Sequence, residues 1–192
     1  MKTIIHNYII LILLLTLGAC ATNTVQPTAW VNKETEITLP PPLTDHPLQA
    51  QQLLTTTYKD KSHSLMVLLD VQKNELNLVG LTPVGIRLFT INYNQHGIQS
   101  KHNLPIPNLP KANQVLLDIM LAYWPVNTWT EHLPENWHLE ETENKRVLTN
   151  NQNEPVIEIT YTTEQGSQTP KTILHHQFGY TINLDNMEET AP

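Results

Sequence analysis

The sequence predicts a mainly β protein with helices, of the α+β class: an open, curved antiparallel half-barrel under a helical lid. Three observations predict it. Runs of alternating, β-branched or aromatic residues recur from residue 52 to residue 184. Segments rich in Asn, Asp and Gly separate most of them, as hairpin connections require. One apolar run, 115–124, lies between Pro110 and Pro125 and has helical length.

A targeting segment precedes the sheet. Lys2, the apolar stretch 8–17 and the small residues before Cys20 form the layout of a secretory signal, too short for a comfortable membrane span. Leu17-Gly18-Ala19-Cys20 is the pattern at which bacteria cut such a signal and lipidate the new N-terminus. Residues 1–19 are therefore expected to be a signal peptide and Cys20 to carry the acyl anchor. One acyl chain binds a membrane only marginally, whereas a diacylglyceryl group with an amide-linked third chain holds firmly. Ala21 stands where inner-membrane lipoproteins usually carry Asp, so the expected location is the periplasm-facing leaflet of a Gram-negative outer membrane. Residues 20–47, rich in Thr, Pro and Asn, read as the lipidated N-terminus and a flexible tether. Residues 48–186 read as a single domain and 187–192 as a disordered tail.

The expected strands span 52–58, 63–71, Glu75–Leu81, 86–93, 137–141, 146–149, 155–162, 172–178 and 180–184, with hairpin turns at 70–74 and 93–97. Several are apolar on both faces. Leu65, Val67 and Leu69 oppose Met66 and Leu68, and Ile86 and Leu88 oppose Phe89 and Ile91. Such a sheet is expected to be covered twice or to curve around something.

The helix after Lys111 ends before Pro125, which cannot continue it. It is apolar almost all round, so it must be buried on most sides. Its lone central charge, Asp118, is expected at the rim, capping a turn or pairing with a Lys or Arg, because no base or nucleophile stands near it in sequence. Sheet and helix enclose either a solid core or a cavity, and the sequence leaves both open. A cavity would be lined from the sheet by Leu65, Val67, Leu78, Leu88 and Phe89, and from the helix by Leu116, Leu117, Met120 and Trp124.

Composition narrows the function. With 11 Lys and Arg against 18 Asp and Glu, the net charge is −7. That counts against nucleic acid and against tight binding to anionic headgroups. The sole cysteine is Cys20, which leaves no disulfide and no thiol nucleophile. A nucleophile elbow, a Ser-x-x-Lys pair, a His-Glu-x-x-His helix and a glycine-rich phosphate loop are all missing from the sequence. No catalytic residue, metal or cofactor is expected. His175 and His176 are neighbours on a strand, face opposite ways and cannot share a metal, so one is expected in solvent.

The segment 77–91 resembles a hairpin of LolB, the outer-membrane lipoprotein receptor: a strand ending Leu81-Thr82, a turn on Pro83, Val84 and Gly85, then an alternating strand. The resemblance implies that Leu81, Pro83, Val84 and Gly85 form a transfer loop. Val84 takes the place of the apolar residue that in LolB protrudes into solvent and is implicated in passing lipoprotein to the membrane. Over 52–184 the order of elements, with the helix ending Trp124-Pro125 and the closing Phe178-Gly179-Tyr180, resembles an outer-membrane lipoprotein family associated with aryl polyene gene clusters. That likeness implies the open barrel and helical lid of the LolA and LolB carriers. It further implies a membrane-anchored, non-catalytic protein that binds an acyl or aryl polyene chain, with a periplasmic carrier protein as a partner. The alternative is an assembly factor with a filled core and an exposed apolar patch at 81–84.

Overall fold

The computed structural model describes residues 27–42, 47–104, 110–164 and 167–187. The expected signal peptide, Cys20, the expected tether through residue 26 and the expected tail from residue 188 lie outside the described residues. Strands β1 (Thr28–Trp30) and β2 (Glu36–Thr38) form a small hairpin of their own. Next come β3 (Leu48–Tyr58), β4 (Lys61–Gln72), β5 (Glu75–Leu81), β6 (Arg87–Asn94) and β7 (Gly97–His102). The helix α1 (Ala112–Tyr123) and a 3-10 segment (Val126–Trp129) lead to β8 (His138–Glu141), β9 (Lys145–Thr149), β10 (Pro155–Glu164), β11 (Ser167–His175) and β12 (Tyr180–Asn186).

Ten strands make one antiparallel sheet in the order β7-β6-β5-β4-β3-β12-β11-β10-β9-β8. Each half is a meander, the halves meet where β3 pairs with β12, and the sheet stays open with β7 and β8 at its edges. The register explains the core. Leu54 faces Leu65, Val67 faces Gly80, Leu69 faces Leu78 and Leu78 faces Ile91, so one side of the pleat is largely apolar, interrupted by the buried Gln52 opposite Val67. At the Gly80–Phe89 pair the ring lies over the glycine, where an added Cβ would come within 2.3 Å of the ring. A larger residue there requires the Phe89 ring to shift.

Helix α1 lies on this core face and buries every residue from Leu116 to Ala122. Its all-round burial needs a second cover, and the β1–β2 hairpin supplies it. Ala29, Val31, Ile37 and Leu39 are buried in the same cluster as α1 and the sheet. The Asn113 side-chain amide donates to the Thr28 carbonyl at 2.7 Å, and the Tyr93 hydroxyl donates to the Pro40 carbonyl at 2.9 Å. This corrects the reading of 20–47 as tether: from Pro27 to Pro42 the chain is part of the body. Its Thr and Pro content obscures a short alternating pattern, Ala29/Val31 and Ile37/Leu39, too brief to register as a period.

Two further differences concern the sheet. Strand β7 was not expected, because Gln99, Ser100, Lys101 and His102 are exposed and leave no apolar alternation on this edge. Of the two alternatives expected for a sheet apolar on both faces, a second cover is not the one found among the described residues. Among the described residues no element lies over Met66, Leu68, Val79 and Leu81, which keep contact with solvent.

Candidate functional site

The β5–β6 connection is built to hold an apolar side chain out in water. Pro83 presets the turn, and Gly85 takes the left-handed φ of +86° that closes it. The Gly85 amide donates to the Thr82 carbonyl and the Thr82 amide to the Ile86 carbonyl, both at 2.8 Å, while the Ile86 amide donates to the Thr82 hydroxyl at 3.0 Å. The tip is therefore rigid, yet Val84 is 81% exposed and Ile86 54% exposed. Both are costly in water unless something apolar meets them.

The tip continues into the sheet's outer face. Leu53, Met66 and Leu81 stand in one cross-strand row, and Leu68 and Val79 pair in the next. The same face turns polar further from the tip. There Gln49 and Gln72 donate to Asp70, and Asn92 bonds both Asn77 and Glu75. The outer face is thus apolar at the end that carries Val84 and hydrogen-bonded at the other.

The nine residues proposed to line a cavity lie elsewhere, in the core or packed against it. Val67, Leu78, Phe89, Leu116, Leu117, Met120 and Trp124 are buried, with Leu65 and Leu88 partly buried against them. A cavity large enough for an acyl chain would leave accessible surface on its walls, yet Leu78, Leu116, Leu117 and Met120 have none. Two grooves open elsewhere, beside β8.

Polar clamps hold α1 in place. The buried Arg146 of β9 donates to the Trp124 carbonyl at 2.8 Å and to the Leu121 carbonyl, and binds Glu141 through Nε and Nη2. The Tyr161 hydroxyl donates to the Ala122 carbonyl at 2.9 Å. A helix end leaves its last carbonyls without partners, and cations favour that end of its dipole. Arg146 supplies both kinds of compensation.

The family model described as "Protein of unknown function (DUF3261)" matches residues 49–188. The chain belongs to the DUF3261 family. No curated protein matches it. The matched span begins within β3 and ends past β12, so it takes in the whole ten-stranded sheet and α1 of this DUF3261 chain, while the β1–β2 hairpin precedes it.

The DUF3261 core also holds a polar cluster that sequence did not place. Asp118 is neither at a rim nor paired with a cation. It is buried in mid-helix, and both carboxylate oxygens accept from the Tyr180 hydroxyl, at 2.9 and 2.8 Å. Burial pushes its pKa up to about 7, opposed by the hydrogen bonds from Tyr180 and Gln114. His175 stacks on Phe178 and lies against Tyr180, with ring centroids 4.5 and 4.9 Å apart. Its Nδ1 accepts from the Phe178 amide at 3.3 Å, while its buried Nε2 meets no partner among the described residues. Burial, reinforced by His176, brings its pKa down to about 4. His176 faces out and pairs with Glu158 at 3.2 Å. One histidine is in solvent as expected, but because β11 ends at His175 and the turn begins at His176, not by strand alternation; no local signal marks Tyr180 as the partner of Asp118, since they are far apart in sequence.

Proposed function

We propose that this protein is a lipid-anchored, non-catalytic protein of the outer membrane, facing the periplasm, that binds hydrophobic chains of a lipid or lipoprotein at its β5–β6 tip. The observation that carries the reading is the rigid turn that holds Val84 and Ile86 in solvent, continuous with an apolar strip on the sheet. The LolB resemblance of the same hairpin supports it, and so does the lipidation pattern ending at Cys20. An acyl or aryl polyene chain would meet the tip first. Entry to a LolA- or LolB-like interior would then require α1 to lift as a lid, releasing Arg146, Tyr161 and Asn113 from its carbonyls and from β1.

The test is co-sedimentation of the chain from residue 21 onward with vesicles of phosphatidylethanolamine and phosphatidylglycerol. Val84→Asp is expected to lower partitioning about tenfold, the worth of one buried Val side chain, without moving the melting temperature. Equal partitioning of native and variant chains would overturn the reading. The absence of accessible surface on Leu78, Leu116, Leu117 and Met120 favours a second reading, a docking factor with a filled core whose tip meets another protein. Native mass spectrometry after purification with endogenous lipids separates the two, because only the first expects co-purifying acyl or polyene species.

A further inference from the structure

The far edge of the sheet carries a second site, independent of the apolar tip. Strand β8 ends the strand order and, among the described residues, pairs only with β9. The Thr142 amide donates to the Lys145 carbonyl, which makes that pair a hydrogen-bonded one. By the alternation of an antiparallel ladder, Glu140 and His138 then bond toward β9, and Leu139 and Glu141 turn their amides and carbonyls outward. Two grooves, of about 740 and 210 Å³, run beside this edge and share Val126 of the 3-10 segment. The smaller is walled by Leu133, Trp137 and Leu139.

Charge decides what fits. Glu140, Glu141 and Glu143 line the trough, and its only arginine, Arg146, is buried and taken up by Glu141 and the helix carbonyls. A second β8 edge would bring like charges together. The uncharged residues 20–26 of the chain have no cation to offer, and the stretch 105–109, with two prolines, lacks the amides a strand needs.

We infer that the β8 edge binds an extended, cationic segment of a partner protein as an eleventh strand. Alternate side chains of such a segment serve the two sides. Basic ones face Glu140 and Glu143, and apolar ones enter the pocket of Val126, Leu133 and Trp137.

The experiment measures fluorescence anisotropy of an end-blocked octapeptide alternating Lys and Val, titrated with the full chain in mild detergent. The expected result is saturable binding, weakened about tenfold by combined Glu140→Lys and Glu143→Lys, both exposed positions. N-methylation of alternate peptide amides, which leaves the protein untouched, should abolish binding, and hydrogen exchange at the Leu139 and Glu141 amides should slow when the unmodified peptide is added. Absence of binding, equal binding of a Glu-Val counterpart, or indifference to N-methylation would overturn the assignment. So would protection of those two amides in the free chain, or their loss of exchange on self-association, since either would mean that the edge is already occupied.

Discussion

At the residue scale the buried pair Asp118 and His175 makes opposite contributions to stability. Asp118 holds its proton to about pH 7 in the folded chain but releases it near the ordinary carboxylate value when unfolded. Between those values the folded state binds more protons, so its contribution falls as pH rises from about 4 to about 7. His175 charges only near pH 4 when folded but near 6.5 when unfolded, so its contribution rises with pH over about 4 to 6.5. The two slopes oppose each other. Asp118→Asn, which keeps an acceptor for Tyr180, should therefore gain on the native chain as pH rises from 4 to 8, by up to about 4 kcal/mol at 1.4 kcal/mol per unit. His175→Phe should gain as pH falls below 6.5. Urea midpoints at pH 4, 5.5, 7 and 8 check both, and parallel profiles for native and variant chains would sink the account. Gly80 is a second sensitive residue. Gly80→Ala drives a methyl into the Phe89 ring and should cost about 1–3 kcal/mol. Adding Phe89→Leu should recover part of that loss, which a purely backbone effect would not.

At the element scale α1 depends on partners remote in sequence. Arg146→Ala would leave the Leu121 and Trp124 carbonyls and Glu141 without their donor, an expected loss of about 3 kcal/mol in chemical denaturation. Arg146→Lys keeps the charge but not the forked geometry, and should fall between alanine and the native chain. These dependences mark how far the sequence could be read. The bounds of α1 were legible because Pro125 ends it and its apolar run is long. Glu75–Leu81 was legible as a strand because a short apolar run that begins in alternation, with Leu76 and Leu78, lies between turn residues at both ends. The Asp118–Tyr180 and Arg146–Trp124 contacts were not, since they join elements that only the sheet order brings together. Strand β7 escaped for a different reason: an edge strand facing solvent needs no apolar period. Of the candidate site, the place of Val84 at the turn tip followed from Pro83 and Gly85, while its exposure was an expectation carried by the LolB resemblance. The residues proposed as a lining are buried in or packed against the core, and periodicity alone does not distinguish a filled interior from a hollow one.

At the scale of the whole molecule, the β1–β2 hairpin changes what the N-terminal region does. Because the chain already packs into the body just after Pro27, a chain anchored at Cys20 can stand off the membrane by no more than about 25 Å, the length of the intervening residues at full extension. The domain would then stand close to the bilayer, not far off it on a long leash, and the exposed Trp30 would lie at the start of the body. The hairpin is also structural. Removing it would uncover α1 on the side where Ala29, Val31, Ile37 and Leu39 now lie, and would strip the partners from Asn113 and Tyr93. A chain starting at Pro27 should accordingly melt cooperatively at the same temperature as one starting at residue 21. A chain starting at residue 47 retains the entire family-matched span but exposes a continuous apolar surface. It should aggregate or bind a hydrophobic dye at low temperature. If calorimetry instead showed the shorter chain soluble and melting as sharply as the longer one, the hairpin would be an appendage, and the free tether would extend to the start of β3 as its composition alone suggests.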